Sequence, residues 1–238
     1  MPNNTQHSKC HSGPIFFKLI IFDCDGVLLD SEEIGGKIEV DALHELGISV
    51  DLDDYNKRFA GVVSAIAMRT VAQEYGISLT DEWIKDVEQR IVDALEKNVK
   101  VVPNIPETLE NISIPKAVAS NSKYSRLFQL LHTRKLDQYF DGHIFSAEMV
   151  ERPKPYPDLY QYIAEKMGVS PSECLVIEDS PTGTQSARDA GMKVLGFIGT
   201  HQEQKGGDII LFKAGADIVF NNMLQLPELI ELESRYIN

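Results

Sequence analysis

The chain has 238 residues, of which 43% are hydrophobic and 25% are charged, and its formal net charge at pH 7 is −13. This composition is that of an ordinary folded protein, with enough residues for one large core and a smaller companion domain. The negative charge argues against nucleic acid or an anionic membrane surface as a partner, and no apolar stretch approaches the ~20 residues that cross a bilayer.

The first segment, residues 1–15, is polar and has no periodicity, so we expect a flexible tail rather than a signal peptide. It contains His7, Cys10 and His11, which are metal-binding residue types, but a segment this short favours the interpretation without a metal. Three sparse cysteines in the whole chain argue against a disulfide framework and for a reducing compartment. We therefore expect a cytoplasmic protein.

An acidic motif follows the first apolar run. Lys18–Phe22 is predicted to form a buried strand, and Asp23 and Asp25 come directly after it. Alternation along a strand places these two carboxylates on one side and Cys24 on the other, which favours a buried, unreactive thiol. Two carboxylates this close repel each other and lose hydration, so another group must offset this unfavourable free energy.

The next segment, residues 32–102, contains no convincing strand. After a tight turn, Asp30 or Ser31 is placed to cap its first helix. Because an all-helical segment here interrupts the strands of a sheet, we predict a cap domain at 32–102 inserted into a core formed by 16–31 and 103–238. Four helices are expected in the cap, at about 33–46, 51–59, 64–76 and 80–98.

From residue 103 onward, short apolar runs alternate with segments of helical periodicity. Five further strands are predicted, at Lys116–Ala119, His143–Phe145, Cys174–Ile177, Lys193–Ile198 and Ala216–Phe220. Helices are expected between most of them, including Tyr124–Leu136, Asp158–Met167 and Thr182–Ala190. Strands with little polar alternation, separated by helices, predict an α/β fold: a doubly wound, Rossmann-like parallel sheet covered on both faces.

Polar residues follow the carboxyl ends of two more strands, and a lysine lies in a loop between them. The second core strand runs into Ser120 and Asn121, and the fourth ends in Glu178 and Asp179. Between them, Lys154 lies in a proline-rich loop. Because ligands bind outside the carboxyl ends of the strands in a doubly wound sheet, we expect carboxylates, donors and one ammonium to meet at a single edge.

These segments resemble the four motifs of the haloacid dehalogenase superfamily. The matching stretches are Asp23–Glu32, Ser120-Asn121, Lys154-Pro155 and Glu178–Ser180, in the same order and at similar spacing. The resemblance extends from residue 16 to the end and is closest to the sugar-phosphate phosphatase and β-phosphoglucomutase branch. It implies hydrolysis of a small phosphorylated metabolite, such as a sugar, sugar-acid or polyol phosphate. We expect the protein to be a monomer or a weak dimer.

The resemblance also implies catalytic roles. Asp23 is expected to attack phosphorus and form an aspartyl-phosphate, and Asp25 to protonate the leaving oxygen and then activate the hydrolytic water. Ser120, the backbone of Asn121, and Lys154 are expected to hold the phosphoryl oxygens. These roles agree with general chemistry, because phosphoryl transfer requires positioning and neutralisation of charge.

A magnesium ion is implied at the same place. Its expected ligands are Asp23, the backbone carbonyl of Asp25, Asp179, and Glu178 either directly or through water. Oxygen ligands of this kind suit Mg²⁺ rather than zinc. The ion and Lys154 would then offset the repulsion between the crowded aspartates, within a protein that is acidic overall.

Other members of the superfamily are less consistent with the sequence. Dehalogenases and phosphonatases lack an aspartate at the position of Asp25. β-Phosphoglucomutases share all four motifs but carry a histidine twelve residues after the nucleophile, where this chain has Gly35, and a different cap loop from Ala60–Ser64. Hydrolysis is therefore favoured over the mutase alternative. A catalytically inactive phosphate-binding scaffold is the alternative from another class.

Substrate choice is expected to depend on the cap. The candidate residues are Arg58, Gly61 and Val62 in the loop at Lys57–Val62, together with Arg69. For the two arginines, an ordinary solvated helix face is at least as good an interpretation.

Overall fold

The computed structural model describes residues 17–59, 62–199 and 206–235. Its centre is a six-stranded parallel sheet in the order β5-β4-β1-β6-β7-β8. The six strands are β1 Leu19–Asp23, β4 Lys116–Ser120, β5 Ile144–Ser146, β6 Cys174–Glu178, β7 Lys193–Phe197 and β8 Ile218–Phe220. The predicted α/β fold with a doubly wound parallel sheet is therefore confirmed.

The sheet is buried on both faces, which explains why its strands lack polar alternation. Ile20 and Phe22 of β1 pack into one apolar cluster, whereas Leu19 and Ile21 pack into another on the opposite face. Within the residues that the structure describes, six helices accompany these strands: α5 Ile105–Asn111, α6 Tyr124–Thr133, α7 Asp158–Met167, α8 Pro181–Asp189, α9 Gly207–Ala214 and α10 Leu226–Arg235. In the described ranges, none of the helices is long and apolar enough to cross a membrane.

Four helices are inserted between two short strands, β2 Leu29–Asp30 and β3 Lys100–Val101. These strands pair antiparallel, so the chain enters and leaves the insertion side by side. We call the inserted helices the cap: α1 Glu32–Glu45, α2 Leu52–Phe59, α3 Ser64–Glu74 and α4 Asp81–Asn98. All four match the helices expected from the sequence to within two residues, and the division into core and cap domains stays a prediction.

Two predicted features lie outside the described residues. One is the tail with His7, Cys10 and His11, and the other is Gly61 of the expected specificity loop.

Candidate active site

The predicted site residues meet at one edge of the sheet. β1 lies between β4 and β6, at the point where the chain reverses its direction of travel across the sheet. Asp23, Ser120 and Glu178 are the last residues of these three strands. Parallel pairing brings their side chains to the same crevice, which is where open α/β sheets bind ligands.

Lys154 connects two of these strand ends. Its ammonium Nζ lies 2.6 Å from Asp23 Oδ1, 2.6 Å from Glu178 Oε1 and 3.0 Å from the carbonyl oxygen of Ala119. Only 3% of its side chain is exposed. The three donors of the ammonium are therefore all used, and a buried positive charge is held between two buried carboxylates.

The loop that carries Lys154 is fixed by Asn121. The backbone N–H of Lys154 donates to Asn121 Oδ1 (3.1 Å), and Asn121 Nδ2 donates to the Lys154 carbonyl (3.2 Å). On the other side, the Tyr160 hydroxyl donates to Glu178 Oε1 (2.9 Å) and its ring lies 5.1 Å from the Lys154 ammonium. The Asn121 side chain thus positions Lys154, and its backbone remains a predicted phosphate contact.

Asp25 faces the crevice with three hydroxyl groups around its carboxylate. Ser31 donates to Oδ1, while Ser122 (3.2 Å) and Ser120 (3.4 Å) donate to Oδ2. Hydroxyl groups both donate and accept, so these contacts can persist whether or not Asp25 carries a proton. Of the two residues expected to cap α1, Ser31 is the N-cap residue, but its hydroxyl bonds to Asp25 and makes no capping hydrogen bond.

Glu178 is the most heavily hydrogen-bonded carboxylate of the site. Oε1 accepts from Lys154 and Tyr160, and Oε2 accepts from the backbone N–H groups of Asp179 and Ser180 and from the Ser180 hydroxyl. A Cβ at Gly183, in the first turn of α8, would lie 1.7 Å from Oε1. This carboxylate therefore needs a glycine beside it and has little capacity left for direct metal ligation.

The acidic residues at this edge fit a divalent metal. Asp23, Glu178 and Asp179 each offer a carboxylate oxygen, and these oxygens lie within 4.8 Å of one another. Gly26, with φ +82°, allows Asp179 to approach, because a Cβ there would lie 1.9 Å from Asp179 Oδ2. Asp23 and Asp179 would supply carboxylate oxygens directly, with the hydrogen-bonded Glu178 behind them, and such hard oxygen groups suit Mg²⁺.

Burial shifts the pKa values of the central groups. Burial raises the pKa of Asp23 well above its ordinary value, and Lys154 opposes that shift. Burial by itself would lower the pKa of Lys154, but Asp23 and Glu178 raise it well above its ordinary value. The pKa of Cys24 is also raised well above its ordinary value, by burial and by the neighbouring aspartates. Lys154 thus stays charged and Cys24 stays a thiol, the unreactive state predicted for it.

A cavity of about 720 Å³ opens above these residues, between the cap and the core. Cap helix α4 and core helix α6 flank it and are joined by Lys123 with Glu88 (2.6 Å) and by Gln129 with Glu96. The cap side is lined by Gly35, Gly36, Glu39, Tyr55, Asn56, Phe59, Val62, Ser64 and Ala67. A cavity of this volume is in the range that binds small molecules.

The specificity residues predicted from the sequence are only partly at this cavity. Val62 lines it, but Arg58 pairs with Glu74, and Arg69 binds Asp81 and the Leu79 carbonyl (2.7 Å) on the cap surface. The structure therefore does not bring the two arginines to the site. The sequence interpretation also missed three residues that are at or beside the site, because no local pattern marks them: Glu39, Arg126 and Tyr160.

Comparisons with known proteins agree with this geometry. A 6-phosphogluconate phosphatase from Escherichia coli (strain K12) is 31% identical over 211 residues, which cover 88% of this chain and 93% of that protein. A solved haloacid dehalogenase-like protein of unknown function from Agrobacterium tumefaciens str. C58 is 36% identical, with a TM-score of 0.80, over 91% of this chain and 98% of that one.

A hydrolase from Deinococcus radiodurans R1, solved with bound phosphate and sodium, is 29% identical with a TM-score of 0.74, over 94% of this chain and 100% of that one. The family model of the haloacid dehalogenase-like hydrolases matches residues 20–197, which include the strand ends, Lys154 and the whole cap. The chain therefore belongs to the haloacid dehalogenase-like hydrolase family.

Proposed function

We propose that this protein is a Mg²⁺-dependent phosphatase that hydrolyses a small phosphorylated metabolite through an aspartyl-phosphate on Asp23. The observation that carries the proposal is the buried Lys154 ammonium, which lies 2.6 Å from both Asp23 and Glu178 and lines the cavity. A fixed positive charge beside a nucleophilic carboxylate is what an incoming phosphoryl group requires.

The first half of the reaction transfers the phosphoryl group to the protein. A carboxylate oxygen of Asp23 forms a bond to phosphorus as the bond from phosphorus to the substrate oxygen breaks. The departing oxygen takes a proton from Asp25, which Ser31, Ser120 and Ser122 orient. Mg²⁺ bound by Asp23 and Asp179, with Glu178 behind them, would supply positive charge against the repulsion between nucleophile and phosphate.

The second half regenerates Asp23. Asp25, now a carboxylate, takes a proton from a water molecule, whose oxygen forms a bond to phosphorus as the aspartyl oxygen leaves. Lys154 stabilises the returning carboxylate of Asp23. The products are inorganic phosphate and the free alcohol, and Asp25 is protonated again for the next cycle.

The cavity favours a compact substrate and water as the acceptor. A sugar, sugar-acid or polyol phosphate fits a volume of about 720 Å³, and the E. coli relative is named for a phosphorylated sugar acid. At Gly35 the cavity wall has no side chain, and a Cβ there would meet nothing within 4 Å. The mutase alternative, which expects a histidine at this position, is therefore disfavoured. A cytoplasmic location and a monomer or weak dimer stay predictions.

The test is the product formed from β-glucose 1-phosphate and from a panel of sugar, sugar-acid and polyol monophosphates, with Mg²⁺ and no bisphosphate primer. We expect inorganic phosphate to be released, and Asp25→Asn to stop its release because both proton transfers are lost. Glucose 6-phosphate accumulating faster than phosphate would establish the mutase instead. No turnover of any phosphate ester, including an aryl phosphate, would indicate an inactive scaffold.

A further inference from the structure

Arg126, the third residue of α6, lines the cavity and is in none of the ion pairs formed by the described residues. Its Nε is buried, and among the described residues its guanidinium makes no hydrogen bond or ion pair. The other cations of the cavity differ, because Lys154 bridges two carboxylates, Lys123 pairs with Glu88, and Lys85 is exposed to solvent. The donors of this partly buried guanidinium are unused. It is therefore available to bind an anion in the cavity.

Glu39 of α1 also lines the cavity, and the charge of Arg126 acts on its carboxyl group. The two do not form an ion pair, and the hydroxyl groups of Ser64 and Tyr55 lie beside the Glu39 carboxyl instead. Burial raises the pKa of Glu39, which further weakens it as a counter-charge. Glu39 therefore leaves the anion-binding capacity of Arg126 largely unused.

Within the described residues, the cation that pairs with Asp23 is Lys154 and not Arg126. The charges acting on the Asp23 carboxylate are chiefly those of Lys154, Glu178 and Asp25. Arg126 and Asp23 line the same cavity, Arg126 from core helix α6, which flanks the cap, and Asp23 from the end of β1. A substrate with its phosphoryl group at Asp23 would therefore extend its other end towards the guanidinium.

We propose that Arg126 binds a carboxylate at the end of the substrate remote from the phosphoryl group, so that the preferred substrate is a phosphorylated polyhydroxy acid. The proposal rests on the phosphatase function proposed above. A guanidinium presents paired donors that match the two oxygens of a carboxylate, and this geometry discriminates against a neutral hydroxymethyl group.

Two substrates isolate this contact. 6-Phosphogluconate and glucitol 6-phosphate have the same carbon skeleton and phosphate, and differ only at the far end, which is a carboxylate in one and a CH₂OH group in the other. We expect the wild type to have the higher kcat/KM for the acid. Arg126→Met should lower kcat/KM about 30-fold for the acid and less than about 3-fold for the alcohol. Arg126→Lys, which keeps the charge but loses the paired donors, should fall between.

The matched control is Arg90→Met, which makes the same change at an exposed arginine paired with Glu45 outside the cavity. It should change neither value by more than about 2-fold. Equal losses for both substrates with Arg126→Met would assign Arg126 to the phosphoryl group and overturn the proposal. No loss for either substrate, or no preference of the wild type for the acid, would also overturn it.

Calorimetric binding of both compounds to Asp23→Asn, with and without Arg126→Met, separates this proposal from the phosphatase function. If the acid binds more tightly than the alcohol only when Arg126 is present, the carboxylate contact stands even for a protein that hydrolyses no phosphate ester. If the wild type releases phosphate but the binding difference is absent, the phosphatase function stands and the Arg126 proposal fails.

Discussion

The ammonium of Lys154 lies 2.6 Å from a carboxylate oxygen of Asp23, although the two residues are 131 positions apart in the sequence. Asp23 ends the central strand β1, whereas Lys154 belongs to a loop between β5 and α7 that Asn121 holds in place. The contact therefore forms only when three separate segments of the chain come together. It is also the charge pair on which the proposed nucleophile depends.

Asp23→Asn should abolish phosphate release while the protein still folds. The change is nearly isosteric, but an amide cannot form the acyl-phosphate, so kcat should fall by ~10³-fold or more. Phosphate release and circular dichroism measure the two effects. Asp86→Asn, the same change at an exposed position of α4, is the control. Activity near that of the wild type would rule out Asp23 as the nucleophile.

Removal of the metal should abolish enzymatic activity. We expect EDTA to abolish phosphate release, Mg²⁺ to restore it, and Ca²⁺ to substitute poorly because it prefers longer bonds and more ligands. Asp179→Asn should raise the Mg²⁺ concentration needed for half-maximal activity at least about tenfold. The rise in Tm on adding Mg²⁺ should shrink in the same variant. Full activity after exhaustive chelation would exclude a metal requirement.

Two glycines should respond to alanine with opposite signs. Gly183→Ala places a Cβ 1.7 Å from Glu178 Oε1, so it should lower the free energy of unfolding by about 1–3 kcal/mol and reduce kcat by displacing Lys154. Gly35→Ala meets nothing within 4 Å in a helix and should raise the free energy of unfolding by about 0.5–1 kcal/mol. Urea denaturation measures both, and equal effects of the two changes would contradict the packing described.

Glu39 should make stability depend on pH. Burial raises its pKa in the folded state, so its contribution to stability is complete below the ordinary value of about 4.3 and is lost as pH rises through the folded-state pKa. Glu39→Gln removes this loss. The free energy of unfolding of the variant, relative to that of the wild type, should therefore increase with pH, by about 1.4 kcal/mol for each unit by which the folded-state pKa of Glu39 is raised. Urea denaturation at pH 4.5 and 7.5 tests this, with exposed Glu82→Gln as control. A difference that does not change with pH would contradict the prediction.

Arg58→Ala and Arg69→Ala should have little effect on catalysis. Both arginines form exposed ion pairs on the cap surface, and such pairs contribute about 0–1 kcal/mol to stability. We expect kcat/KM for the best substrate to stay within about 2-fold of the wild type. A tenfold loss of kcat/KM in either variant would show that this arginine does act on the substrate, as the sequence first suggested.

The sequence determined the architecture and the catalytic edge. Uninterrupted apolar runs separated by helical segments indicate a parallel sheet, because such strands are stable only when both faces are buried. The residues after those runs are Asp23, Ser120 and Glu178, and parallel pairing alone brings them to one edge. The same local patterns gave the four cap helices, since helix periodicity and capping depend on neighbouring residues.

Tertiary structure decided where the remaining side chains point. Ser31 has the right position to cap α1, yet its hydroxyl bonds to Asp25 because the chain turns back at the motif. Arg58 and Arg69 are as basic as Arg126, but only Arg126 faces the cavity. A charged residue's role depends on which surfaces pack together over long sequence distances, and no local pattern encodes that packing. For the same reason, the approach of Lys154 to Asp23 was implied only by family resemblance, and its pairing with Glu178 came from the fold alone.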